Sequence, residues 1–209
     1  SQISILKNGL RALGIKQMIA SNMEADDLAG MLTAKNTTLH RMLFVTGDKD
    51  WLQLLVCPSY AWSDPYHDKY ITTQNFMTYL QLEGPTQLVA YKALMGDSDN
   101  IPGVGGFGEV RARQFLTEWG SVAKFFQECD QENIKQFHWL RKFYEGGRER
   151  YDHNVALIDL LDTNLRPPVE SLQIDKGVPS KEAFIEYCRS YKLNEILVNM
   201  DNWYRVFEN

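Results

Sequence analysis

Apolar positions along this chain recur mostly at a helical period, interrupted by short runs that read as strands. Ile3, Ile5, Leu6, Leu10 and Leu13 predict a helix over 2–13 that Gly14 closes, and a short strand follows over 16–20. Ser21 or Asn22 is placed to cap a helix running to about residue 34, with Glu24, Asp26 and Asp27 in its first turn. The run Arg41-Met42-Leu43-Phe44-Val45-Thr46 predicts a buried strand, followed by a short helix over 51–55 and strands over 60–63 and 69–71. Thr72 or Thr73 starts a helix to about residue 82, and Gly84-Pro85 separates it from an apolar helix over 86–95. The pattern is then helical to residue 161, over 109–119, 121–129, 133–144 and 148–161, with breaks at Gly120 and at Gly146-Gly147. After Pro167-Pro168 it loosens, leaving helices over 181–191 and near 195–204.

Two of these helices are joined by a stretch of unusual composition, running from Gly96 to Gly108. Asp97 and Asp99 come first, then Ile101-Pro102-Gly103 predicts a turn, because proline fixes φ and glycine accepts positive φ. Gly105, Gly106 and Gly108 let the backbone approach a ligand closely, and the helix restarting at Glu109 offers N-terminal amides to an anion. A tight interhelical turn without a ligand explains such glycines equally well when they stand alone. The acidic pair in front favours a ligand, because carboxylates beside a phosphate site need a metal between them.

A second acidic pair, Asp48 and Asp50, sits at the carboxyl end of the 41–46 strand, where open α/β sheets bind ligands. Two apart in an extended segment, they point to the same side and are expected to reach one ion. The order of elements lets Glu24 and Asp26 face them across a crevice. The plainer alternatives are acids that complement a helix dipole at 24–27 and two solvated loop acids at 48 and 50.

Composition narrows the classes. A hydrophobic fraction of 44% is that of a globular chain, and no apolar run approaches the roughly 18 residues a membrane helix needs. The expected location is the cytoplasm. Net charge is −5, so a uniformly basic polyanion-binding surface is excluded, although Arg111, Arg113, Lys124, Lys135, Arg141, Lys142, Arg148 and Arg150 concentrate charge in the second half. Cys57, Cys129 and Cys188 form no zinc spacing and are read as buried structural thiols; His40, His67, His138 and His153 show no ligand spacing either.

The stretch Met95-Gly96-Asp97-Ser98-Asp99-Asn100-Ile101-Pro102-Gly103-Val104-Gly105-Gly106-Phe107-Gly108-Glu109-Val110-Arg111-Ala112 resembles the helix-three-turn-helix segment of the 5' nucleases. These are the flap endonucleases of phages and the 5' nuclease domain of bacterial DNA polymerase I. Three further blocks extend the resemblance, in the same order: 23–27, 45–54 and 118–122. It implies a PIN-like (Rossmann-like) α/β sheet followed by a helical helix-three-turn-helix DNA-binding module. The corresponding division is a PIN-like core over 1–84, the DNA-binding region over 85–165, and a helical tail over 166–209 packing back on the core.

By the same resemblance Glu24, Asp26, Asp48 and Asp50 are the catalytic metal ligands, joined by Asp97 or Asp99. Two Mg2+ ions are implied, or Mn2+, with K+ at the glycine hairpin. Gly103, Val104, Gly106, Gly108 and Arg111 or Arg113 are the expected DNA contacts. The family spacing before the hairpin is one residue longer than Asp97-Ser98-Asp99, and Val110 stands where the family commonly has a lysine. The family also has an aspartate-tipped strand and a basic arch ahead of its Glu-Ala-Asp-Asp block, whereas 23 residues precede Glu24 here. A complementing N-terminal polypeptide is therefore expected.

The function expected is metal-dependent 5'-3' exonuclease or 5' flap endonuclease activity on DNA, with RNA–DNA hybrids as further substrates. The competing expectations are a non-catalytic binder of branched DNA and a small PIN-type ribonuclease.

Overall fold

In the computed structural model, residues 2–35, 41–97, 100–162, 164 and 172–207 are described. The chain divides into two compact units, one of Ser1–Glu24 with Pro167–Asn209 and one of Ala25–Arg166.

The larger unit is built on helix α4 (Pro85–Met95). Gly84 caps it in an extended conformation, Pro85 supplies the fixed φ of a first turn, and Lys92 is its only charged residue. A helix apolar on nearly every side is expected to be covered on most of its faces. Helix α9 (Arg148–Ile158), helix α5 (Glu109–Trp119) and the 3-10 helix Lys49–Leu54 pack against α4, burying Leu88, Ala90, Tyr91, Ala93 and Leu94. Buried Asn154 of α9 donates to the carbonyls of Ala93 and Pro102, both at 2.9 Å, and so ties α9 to the end of α4 and to the stretch beyond it.

Strands β2 (Met42–Val45) and β3 (Tyr60–Asp64) pair in parallel, Phe44 opposite Trp62, and β4 (Lys69–Thr72) adds antiparallel to β3. The strand expected to be buried over 41–46 is an edge strand of this sheet: Phe44 is buried, but Leu43 and Val45 are 57% and 61% exposed. The helix expected after Thr72 shrinks to α3 (Phe76–Leu80), because the Asn75 side chain accepts from Thr72 N and donates to the Tyr70 carbonyl, holding a turn.

Beyond α5 come α6 (Val122–Glu128), α7 (Gln131–Ile134) and α8 (His138–Gly146). The single helix expected over 133–144 is thus broken. Ile134 and Phe143 are both buried, and nine residues at about 100° each would set them on opposite faces of one continuous helix. Phe107, Phe115, Phe125 and Phe143 form the aromatic centre of this half, mostly in edge-to-face contacts with centroids 5.0–5.7 Å apart.

The smaller unit holds helix α1 (Gln2–Ala12), strand β1 (Gln17–Ile19), strand β7 (Gln173–Asp175), and helices α10 (Lys181–Ser190), α11 (Asn194–Val198) and α12 (Met200–Tyr204). β1 pairs antiparallel with β7, a strand that the loose sequence pattern after Pro167 concealed. Its core is Leu13, Phe184, Cys188, Met200 and Tyr204. Cys188 is the buried thiol expected; Cys57 and Cys129 are half-buried.

Candidate active site and phosphate grip

Helix α2 (Ala25–Lys35) opens with Asp26 and Asp27 in its first turn. Asp26 is held in place, its Oδ1 accepting from Trp51 Nε1 at 2.8 Å. Although the chain turns into a helix directly after it, Asp48 is itself extended as expected, at φ −75° and ψ 119°. It caps the 3-10 helix: its Oδ1 accepts from the Asp50 backbone N–H at 2.8 Å and its own N–H donates to Thr46 Oγ1 at 3.0 Å. Buried Trp62 fixes the same residue from below, its Nε1 donating to the Asp48 carbonyl at 2.9 Å. The turn sends the Asp50 carboxylate elsewhere, onto the Lys92 ammonium of α4.

Lys92 donates to both Asp50 Oδ1 and Asp97 Oδ2. Its side chain is 15% exposed, as is that of Asp97, and that of Asp50 is 29% exposed. Residues from the acidic loop and the hairpin entrance therefore converge on one cation. A single positive charge faces two carboxylates here, with Asp48 close enough to add to the field. Burial, together with Asp48 and Asp97, holds the Asp50 carboxyl above its ordinary value despite the lysine. Burial pushes Lys92 down, but its two carboxylates outweigh that and hold it above the usual lysine range.

The donor set suits a hard divalent ion: carboxylate oxygens, partly accessible, as magnesium binds while keeping waters for a phosphate to displace. Residues present fit one such ion at Asp50 and Asp97. Among the described residues no group of three or more Asp, Glu, His or Cys side chains is placed to hold a metal. Asp99 lies outside the described residues, and Glu24 belongs to the other compact unit.

The hairpin beyond Lys92 is built from strands β5 (Gly96–Asp97) and β6 (Ile101–Pro102), paired antiparallel with Asp97 opposite Ile101. Gly96, at φ +89°, and Gly103 press backbone on backbone: a Cβ on Gly103 would stand 2.2 Å from the Met95 carbonyl oxygen. Val104 is buried and its N–H donates to the Leu94 carbonyl at 2.8 Å. Gly106 and Gly108, with Phe107, Glu109, Val110 and Arg111, line an open concavity of about 500 Å3. Gly108 caps α5 without a side chain, so the first amides of α5 have no helical acceptor and face this surface bare. Phe107 anchors the loop through edge contacts to Phe115, Trp139 and Phe143.

The two arginines differ from one another. Arg111 Nη1 donates to the Gly106 carbonyl at 2.9 Å, and its guanidinium lies over Trp139. Arg113 turns inward, to the Leu80 carbonyl, to Glu109 and to the face of Tyr91. Lys92, Trp51 and Trp62 were not singled out from the sequence. The available signal for Lys92 was its position as the lone charge in an apolar helix, one turn before the first hairpin acid.

Asp50, Lys92 and Asp97 thus meet at the entrance of a glycine hairpin whose exit opens helix α5. Two family models match the chain: the 5'-3' exonuclease N-terminal resolvase-like domain over residues 1–81, and the 5'-3' exonuclease C-terminal SAM fold over residues 83–178. This chain belongs to the 5'-3' exonuclease family. It is 36% identical over 124 residues to the 5'-3' exonuclease of Mycoplasmopsis pulmonis, covering 59% of this chain and 41% of that protein. It is also 36% identical over 199 residues to the thermostable DNA polymerase I of Thermus filiformis, covering 94% of this chain and 23% of the polymerase. The chain thus spans well under half the length of these relatives. Two solved structures share the fold. The phage T5 5'-exonuclease with bound zinc aligns at a TM-score of 0.55 and 21% identity, over 80% of this chain and 58% of that one. The catalytic core of Rad2 in complex with DNA substrate aligns at 0.53 and 20%, over 94% and 68%. Among the described residues no helix is long and apolar enough to cross a membrane.

Proposed function

We propose that this chain carries the acidic site and duplex grip of a metal-dependent 5' nuclease, a phosphodiester hydrolase acting on DNA in the cytoplasm of a bacterium or a phage-infected cell. The observation that carries this reading is the convergence of Asp50 and Asp97 on one cation, at the end of the helix whose next residues form the glycine hairpin. Magnesium, or manganese in its place, when bound would activate water and stabilise the leaving oxygen. Asp50 and Asp97 would hold it, Trp51 would keep the Asp26 carboxylate oriented toward the same region, and Asp48 would fix the loop from which Asp50 projects. The family resemblance implies Glu24 and Asp99 as further ligands. A complementing polypeptide is part of the proposal, because a two-ion site needs more carboxylates than the pair that Lys92 joins.

The bare amides of α5 and the open surface at Gly106 and Gly108 would bind backbone phosphates, with K+ as a possible bridging ion. Phosphate contacts set position and carry no base sequence, so the substrates are defined by structure: 5' ends and flaps of DNA, and RNA–DNA hybrids. The test is cleavage of a labelled 5'-flap duplex in Mg2+, with binding measured separately in Ca2+, for the chain alone and with the N-terminal part of the family's nuclease domain supplied. Asp50→Asn should abolish cutting and spare binding. Binding without cutting under every condition would leave the second reading, a branched-DNA binder, in its place.

A further inference from the structure

Which cation at the hairpin is available to a phosphate? Arg111 and Arg113 are committed within the fold, the first to the Gly106 carbonyl and Trp139, the second to Leu80, Glu109 and Tyr91. Helix α8 supplies a different one. Lys142 Nζ lies 3.4 Å from where a Cβ on Gly105 would stand, and Trp139 Cβ lies 3.2 Å from where a Cβ on Gly106 would stand. Residues three apart share a helix face, so this face of α8 is laid across the Gly105–Gly106 turn. A side chain at 106 would press on Trp139, and one at 105 would touch the end of Lys142.

The acid nearest to Lys142 along α8 does not neutralise it. Glu145 pairs with Arg141, at 3.8 Å, and Lys142 makes no ion pair or hydrogen bond with any described residue. An exposed ammonium thus lies beside a turn that leads into the positive end of α5 and whose Gly106 carbonyl is already taken by Arg111. Glu109, the acid that lines the same concavity, is paired with Arg113 at 3.3 Å, so the ammonium and the amides gather one sign of potential at one spot, which is how a site for a bound anion is arranged.

We propose that Lys142 is a phosphate-contacting residue of this grip, delivered from outside the glycine motif, and that Arg111 supports the loop without contacting nucleic acid. This rests on the DNA-binding reading above and deepens it. It also accounts for Val110, where the family resemblance leads one to expect a lysine: the charge reaches the hairpin from α8.

The test is fluorescence anisotropy on a labelled 5'-flap duplex in Ca2+ between 50 and 200 mM KCl. Lys142→Gln should weaken binding severalfold at the low-salt end and reduce the slope of log K against log salt by about 1, and Lys142→Arg should restore both. Lys124→Gln, whose parent lysine pairs with Glu128 on α6, should leave the slope unchanged. Arg111→Gln should lower the melting temperature with the slope retained. A slope lost with Arg111→Gln and kept with Lys142→Gln would overturn the assignment while leaving the DNA-binding reading intact. Absence of salt-dependent binding by the unmodified chain would overturn that reading, and this assignment with it.

Discussion

Replacing Lys92 by methionine tests the acidic cluster most directly. The side chain keeps much of its apolar stem but loses the ammonium that Asp50 and Asp97 share. Hydrogen bonds to charged groups contribute roughly 1.5–3 kcal/mol each. Both carboxylates retain some water access, so the lower figure applies, and two such bonds give a loss of about 3 kcal/mol. In a domain of this size that is a fall of about 6–12 °C in melting temperature. The loss should be partly reversible: without the ammonium the two carboxylates make a better site for Mg2+, and magnesium at ten times its dissociation constant would return about 1.4 kcal/mol. The pH dependence has a definite sign. Lys92 is held above its unfolded value, so its contribution is complete below the ordinary lysine pKa and is lost as pH rises through the folded one. The two proteins should therefore converge in stability at strongly alkaline pH. Thermal melts by circular dichroism, with EDTA or with MgCl2, measure all of this. A fall below about 2 °C, or a fall that magnesium leaves unchanged, would refute the idea that a cation holds Asp50 and Asp97 together.

Three further outcomes are expected. Gly103→Ala should destabilise by about 3 kcal/mol, since its Cβ would stand 2.2 Å from the Met95 carbonyl oxygen, whereas Gly108→Ala, with open space at that point, should cost no more than about 1 kcal/mol as a poorer cap; urea titration distinguishes them. Asn154→Ala should cost about 3 kcal/mol by leaving the Ala93 and Pro102 carbonyls unanswered in the core, measured in the same titration. Burial pushes the Tyr151 phenol up to about 12, so the native state keeps a proton that the unfolded chain loses near pH 10. Stability should then decline between those values by about 1.4 kcal/mol per pH unit, and Tyr151→Phe should flatten that decline in melts from pH 9 to 12.

Much of this was legible because local chemistry decides it. Gly84-Pro85 and Gly96 bound α4 as they must, and Gly120 ends α5 at φ +71°. The hairpin was recognisable from its glycines and its acids. What could not be read from local pattern depended on partners distant in the chain. β1 was expected over 16–20, but its partner β7 is three residues near the other terminus, with no alternation strong enough to announce a strand. The break between α7 and α8 follows from where Ile134 and Phe143 find cover, which is a property of the assembled core. Asp48 and Asp50 were assigned one direction on the assumption of an extended chain, and an Asp in front of a helix start is equally a cap. Here the Asp48 carboxylate caps the helix start while that of Asp50 pairs with Lys92.

The glycines show most clearly how sequence and structure divide the explanation. A glycine-rich loop beside acids suggests close approach of a ligand, yet Gly96 and Gly103 are needed by the protein itself, to let the end of α4 and the exit of the hairpin touch backbone to backbone. That contact has a functional consequence. It fixes Asp97 at one end of a short rigid turn and the bare amides of α5 at the other, with Lys92 one turn back along α4. In the proposed nuclease, the separation between the acids and the phosphate grip is thereby tied to the contact of Gly96 with Gly103. A nuclease that recognises its substrate by backbone position requires such a fixed interval, since the phosphate it grips determines which phosphate reaches the acids. Lengthening the turn by one residue between Asp97 and Asn100 should then shift the position of cleavage or abolish it while the grip keeps its affinity, a result that product mapping on a labelled flap duplex would read directly.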